Sequence, residues 1–268
     1  MRRRPAAPVS ALIAATLLAI GIAAPAAAGS LRIMPIRVEV AADARFCSLT
    51  ITNDDVTPVS VQVRGYAWSK DAAGADVLSE DAGFQVNPTI VTLGAGQNRL
   101  VRCGLPPARE VGGPGGEPSG GTGGAEESWR MVLDELPRPG PANGGIRTLL
   151  RISVPVFRTP ADARPDLVWS IGDAPGAGPL SSGSAGPVLV IENRGQRHAQ
   201  VLSLELTARP GSGRASGGGS GAVIKRSFYV LAGGRMEVAL PAGFAGAPES
   251  VRATTPDGPL DLRSRAGP

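Results

Sequence analysis

From Leu31 onward the chain alternates apolar and polar residues. Ile33, Leu49, Ile51, Val59, Val61 and Val63 are apolar beads set between polar neighbours. A period of two puts one face of an extended segment in a core and the other in water, so these are half-buried strands rather than helices. Strand-like runs fall at 31–40, 46–53, 58–68, 88–93, 98–105, 128–136 and 146–157, parted by Asn53-Asp54-Asp55, Gly94-Ala95-Gly96 and the stretch from Pro137 to Gly145. Short strands at this spacing predict an antiparallel β-sandwich of the immunoglobulin kind.

Residues 159–166 carry Pro160 and Pro165 with no apolar alternation and read as a linker. A second strand series follows at 166–172, 187–193, 197–208, 222–231, 234–240 and 249–263. The chain is therefore expected to be all-β, with an N-terminal domain over 29–158 and a C-terminal β-sandwich over 167–268. Two inserts, 112–124 with eight Gly and 211–221 with six, interrupt the pattern. Glycine loses the most backbone entropy on ordering and buries nothing, so both read as flexible loops. Neither leads from a strand into a helix with a following Lys-Ser/Thr, which argues against a phosphate cradle.

Composition narrows the function. The chain has one His, His198, and two Cys, too few for an ordinary tetrahedral zinc site. A Ser-His-Asp triad would need His198, which reads as structural. No catalytic residue, metal or cofactor is expected. Aromatics are 4 % of residues, so the core is built from Val, Leu, Ile and Ala.

Residues 1–28 read as a secretory signal peptide. Arg2, Arg3 and Arg4 form the basic start, Val9 to Ala24 the apolar centre, and Ala26-Ala27-Ala28 the cleavage site. Removing three arginines brings a chain of formal charge +4 close to neutral, which gives no reason to expect a nucleic-acid partner. No later stretch is long and apolar enough to span a membrane, so no membrane insertion is expected after cleavage. The two Cys then reside where disulfides persist.

One segment stands out. Ile146, Thr148, Leu150, Ile152, Val154 and Val156 share one face of a strand that also holds Pro155. Proline lacks a ladder donor and belongs at an edge or a strand end. A long apolar edge is an aggregation hazard unless another chain pairs with it. The alternation alone leaves two readings open, a core strand or an edge that binds a partner strand.

Taken in order, several segments resemble the periplasmic chaperones of chaperone–usher pilus assembly, the PapD-like superfamily. Met34-Pro35-Ile36-Arg37-Val38 is similar to the family's first strand with its basic anchor, and Leu49-Thr50-Ile51-Thr52-Asn53 to its second strand and Asn turn. Gln97-Asn98-Arg99-Leu100-Val101-Arg102 follows a Gly turn as in the family. Trp129-Arg130-Met131-Val132-Leu133-Asp134-Glu135-Leu136-Pro137 is the most specific segment. Ser153-Val154-Pro155-Val156-Phe157 resembles the end of the donor strand in the archaic (Csu-like) branch. Glu192-Asn193-Arg194-Gly195, His198-Ala199 and Tyr229-Val230-Leu231-Ala232-Gly233 fit the same branch.

The resemblance implies two immunoglobulin-like domains in a boomerang and no enzymatic activity. It implies a periplasmic chaperone that caps pilin-like subunits with a donated strand and hands them to an outer-membrane usher. Donor residues would be Ile146, Thr148, Leu150, Ile152 and Val154, with Thr148 the weakest because it buries less apolar area. A subunit's C-terminal carboxylate would be held by Arg37, whose guanidinium can grip it bidentately. The family's second basic residue falls on Pro155 here, and Arg102, Arg99 or Arg151 are candidates to replace it. Glu135, Arg158 and Asp257 would form a salt bridge between the domains. Cys47 shares a face with Leu49 and Ile51, and Cys103 with Val101 and Leu105; on neighbouring strands of the family topology they would form a disulfide, the alternative being two buried thiols. Against this reading stand a secreted immunoglobulin-like envelope or adhesion protein without chaperone work, and, more distantly, an exported enzyme.

Overall fold

The computed structural model describes residues 31–108, 124–138, 148–173, 187–208, 221–244 and 246–265. The expected leader over 1–28, Ile146 and nearly all of both glycine-rich stretches, 112–124 and 211–221, lie outside them.

Among the described residues the N-terminal half forms ten strands: β1 (Leu31–Met34), β2 (Val38–Ala41), β3 (Phe46–Asn53), β4 (Val59–Lys70), β5 (Asp76–Ser79), β6 (Gln85–Asn87), β7 (Ile90–Leu93), β8 (Asn98–Gly104), β9 (Glu127–Glu135) and β10 (Arg151–Thr159). One sheet has the order β1-β3-β8-β6; the other has β2-β10-β9-β4-β5, with β7 also on β4. Alternation decides which side faces in: Leu49, Ile51, Val61, Val63, Val101, Met131, Leu133 and Val156 meet in one core. The first run, expected as one strand, changes sheets at Pro35. β1 pairs with β3, whereas β2 lies parallel to β10, with Val38 opposite Val156.

The C-terminal half holds β11 (Leu167–Asp173), β12 (Pro187–Asn193), β13 (Ala199–Val201), β14 (Ser203–Ala208), β15 (Gly221–Ile224), β16 (Phe228–Val230), β17 (Arg235–Ala239), β18 (Pro248–Thr255) and β19 (Gly258–Ser264). They form a sheet of order β15-β14-β18-β19-β11-β12-β17 and a two-stranded sheet β13-β16. Leu189, Ile191, Leu204, Leu206 and Ala253 lie in a second core. The two cores fall on either side of residues 160–166, and the described residues contain no helix.

Three differences from the expected strands have local causes. The run 249–263 is a hairpin, because Pro256-Asp257-Gly258 turns it and Gly258 takes φ +120°, where a side chain is strained. β5 escaped notice because all four residues are exposed, so no alternation marks it; pairing with β4 holds it. Of the run 146–157, the described part becomes a strand at Arg151 and continues to Thr159.

Both halves repeat one turn device. The buried Asn53 side chain donates to the carbonyls of Thr57, Leu93 and Gly94, and that of Asn193 donates to Arg197 and Val230. Each amide thereby satisfies carbonyls that burial would otherwise leave unpaired. Cys47 and Cys103 are directly opposite on β3 and β8, with Cα atoms 4.9 Å apart, and form a disulfide facing the core.

Candidate functional site

The joint between the two halves is built from side chains of both. Trp68 and Phe157 from the first half meet Leu231 and Tyr229 from the second. Arg130 lies over the Trp68 ring at 3.6 Å. His198 stacks on Phe157 with centroids 3.7 Å apart, and its Nδ1 is 2.8 Å from Glu126 Oε2. Glu126 also accepts from Thr159 Oγ1 at 2.6 Å, and its backbone N–H donates to the Gln196 carbonyl. Gly195 lets the turn pass against the linker: a Cβ there would collide with the Arg164 carbonyl.

Beside this joint opens a cleft of about 270 Å³, lined in part by Arg37, Glu39, Arg197, Gln200 and Asp257. Arg37 reaches across the joint and donates to Gln200 Oε1 at 3.1 Å. Burial pushes the Tyr229 phenol pKa up, outweighing the nearby positive charges of Arg37 and Arg130.

The other feature is the edge of β10. On one side β9 pairs with it from Arg151 to Arg158. On the other, β2 covers only Val156 to Thr159, so among the described residues Arg151–Pro155 has one bare edge. Pro155 sits just before that covered part. Thr148 and Leu150 are exposed and Ile152 is half-buried, whereas Val154 is buried in its own sandwich. The apolar face is thus divided: Val154 and Val156 serve the core, and Thr148, Leu149 and Leu150 stand in solvent ahead of the strand. The segment is thus a core strand at Val154 and Val156 and has a bare edge along Arg151–Pro155.

The start of this edge is pinned by charge. Asp134 on β9 pairs with Arg151 and with Arg64, the latter at 2.5 Å. Burial of Asp134 disfavours its ionised form, but hydrogen bonds from Arg151 and Arg64 more than offset this and hold its carboxyl below the usual range.

Several expected residues are not brought together. Glu135, Arg158 and Asp257 do not form a bridge. Arg158 is buried within the first half, pairs with Glu127 and donates to the Pro106 carbonyl at 2.6 Å. Glu135 accepts from the Leu150 N–H at 3.2 Å, where it steadies the approach to β10. Asp257 is exposed on the cleft wall and makes no ion pair among the described residues. Glu126 and His198 occupy the joint instead. Arg99 and Arg102 are exposed on β8, in the other sheet, and line a separate groove with Asn87, Ile90 and Leu100. Neither borders the cleft that holds Arg37, and Arg151 is committed to Asp134.

The residues missed are Glu39, Glu126, Arg197 and Gln200. Glu39 belongs to an alternating strand and Arg197 to a polar turn, and neither position carries a local signal. Only the docking of the two halves gives them a common purpose.

The molecule is thus built of two β-sandwiches, with a part-open edge strand and a cleft of paired charges at their joint. Residues 30–164, just over half of the chain, match the family described as pili and flagellar-assembly chaperone, PapD N-terminal domain. The chain belongs to this family. Among solved structures it is similar to the CsuC–CsuE chaperone–tip adhesion subunit pre-assembly complex from archaic chaperone–usher Csu pili of Acinetobacter baumannii, with TM-score 0.60 and 20 % identity over 88 % of this chain and 99 % of that one. It also resembles the Salmonella enterica SafA pilin in complex with the SafB chaperone, with TM-score 0.51 and 18 % identity over 87 % and 96 % of the two chains. No curated protein is similar enough to count as a match.

Proposed function

We propose that this member of the pilus-assembly chaperone family acts in the periplasm, where it caps pilin-like subunits by lending them the bare edge of β10 and passes them to an outer-membrane usher. It works by binding alone and needs no cofactor. The observation that carries the reading is the pairing of β10: β9 covers one side of Arg151–Pro155, while β2 begins only opposite Val156. A subunit strand laid on that stretch gains backbone hydrogen bonds from the edge. Its apolar contacts would come from Ile152 and from the exposed Leu150 and Thr148; Ile146, expected from the sequence to join them, lies outside the described residues. Likeness to the Csu complex favours the archaic branch.

Direction supports the reading too. β2 runs parallel to β10 and starts one residue after Arg37. A subunit strand parallel to β10 on the bare edge ends carboxylate-first against Arg37, which thereby serves as its anchor. The test is co-expression with a pilin-like subunit. Wild type yields a soluble one-to-one complex and Leu150→Asp does not; capture undiminished by Leu150→Asp would refute the reading.

A further inference from the structure

Both backbone groups of Leu150 are held by one residue. The Glu135 N–H donates to the Leu150 carbonyl at 2.9 Å, and the Leu150 N–H donates to the Glu135 carboxylate oxygen Oε2 at 3.2 Å. In a regular antiparallel rung the second acceptor is a backbone carbonyl; here the side chain accepts instead, through an anionic oxygen that strengthens the bond. Leu150 lies one residue ahead of β10, so Glu135 carries the pairing with β9 one rung past the strand's start at Arg151. Arg151 is tied in turn by Asp134, which also pairs with Arg64 on β4. The Glu135 contact is exposed to water, where a hydrogen bond adds little to the stability of the sandwich itself.

Along a paired strand, successive residues turn their backbone groups to opposite sides. With Leu150 turned to β9, the groups of Leu149, Arg151, Ser153 and Pro155 turn to the bare edge. Pro155 has no N–H, so without Leu149 that edge offers a partner only the N–H groups of Arg151 and Ser153. We propose that Glu135 is a positioning residue for strand capture: by fixing Leu150 it aims the Leu149 N–H at the incoming strand and lengthens the donating edge by one rung. The inference rests on the strand-capping reading above, and Glu135 acts in it through Leu150 rather than on the subunit. An approach left loose has to be ordered when the strand arrives, at a cost in conformational entropy. Glu135 orders it in the free protein, so the incoming strand meets an edge already formed. The same clasp leaves the Leu150 side chain exposed, where a partner can bury it. Glu135 thus works at the end of β10 away from the joint, which Phe157 and Thr159 occupy.

The probe is a fluorescent peptide of alternating apolar residues, with binding read by anisotropy and amide exchange followed residue by residue. In wild type alone the Leu150 N–H exchanges more slowly than those of Leu149, Arg151 and Ser153, and the peptide slows those three. Glu135→Ala frees the Leu150 N–H, weakens peptide binding about tenfold and leaves the melting temperature at the wild-type value. Glu135→Gln keeps a side-chain carbonyl oxygen in reach of Leu150 and restores most of the binding, which separates a hydrogen-bond acceptor from a mere charge. Peptide binding undiminished by Glu135→Ala, no recovery in Glu135→Gln, or a melting temperature lowered by Glu135→Ala overturns the inference. So does a Leu149 N–H that exchanges as fast with the peptide as without it while Arg151 and Ser153 slow; the capping reading then stands. A wild type whose Arg151 and Ser153 N–H groups gain no protection from the peptide counts against the capping reading and removes the inference with it.

Discussion

His198 Nδ1 and Glu126 Oε2 meet 2.8 Å apart in the joint between the two sandwiches, with side chains only 3 % and 1 % exposed. His198→Ala takes one donor from this buried carboxylate, which keeps the Thr159 hydroxyl and the backbone N–H of residue 198. His198 also carries the stack on Phe157. His198→Ala is therefore expected to destabilise the protein by about 1–3 kcal/mol, measured by urea unfolding. A change within about 0.5 kcal/mol, the usual range for surface substitutions, would mean that the pair does not tie the halves together.

The edge of β10 predicts a contrast between neighbours. Leu150 is exposed, so Leu150→Asp leaves the melting temperature near wild type while removing subunit capture. Ile152 packs against the core, so Ile152→Asp lowers the melting temperature as well, because a carboxylate is forced into apolar surroundings. Thermal melts of the two variants check this; equal stability loss in both would make Leu150 a core residue.

The Cys47–Cys103 bridge closes a loop with a sequence separation of 56. In the chain-entropy account this contributes about 2–4 kcal/mol. Protein exported to an oxidising compartment is expected to show no alkylatable thiol when denatured without reductant. Cys47→Ser with Cys103→Ser should unfold at lower urea by that amount; two labelled thiols in the wild type would contradict the bridge.

Asp134 ties the first residue of β10 to β4 through Arg151 and Arg64. Its folded-state pKa is held below the usual value of 3.8, so its stabilisation is fully present above that pH and is lost as pH falls below it. Asp134→Asn should be less stable than wild type at pH 7, and the gap should close in strongly acidic solution. A gap of constant size across that range would show that the carboxylate's charge contributes nothing.

Much of the sandwich is legible in the chain because alternation is a local signal: Leu49, Ile51, Val61 and Val63 announce their faces without any partner. The same signal hid the hairpin at Pro256-Asp257, since apolar residues continue through both arms. It also could not show that Val154 belongs to the core and Leu150 to solvent, because that depends on where β9 and β2 begin and end. The joint was least legible. Glu126 and His198 are 72 residues apart in sequence, and nothing local marks either as the other's partner. Arg158 looked free to cross the joint, yet Pro106 and Glu127 claim its guanidinium from within its own sandwich.

The most direct test of the central claim is amide hydrogen exchange on the protein alone and in complex with a co-purified pilin-like subunit. The outward-facing N–H groups of the stretch Arg151–Pro155 lack a strand partner in the free protein and should exchange quickly. In the complex they are predicted to slow by at least tenfold, while β9 and the second sandwich change little. A stable complex in which Arg151–Pro155 exchanges as fast as before, with protection elsewhere, would contradict strand donation by β10.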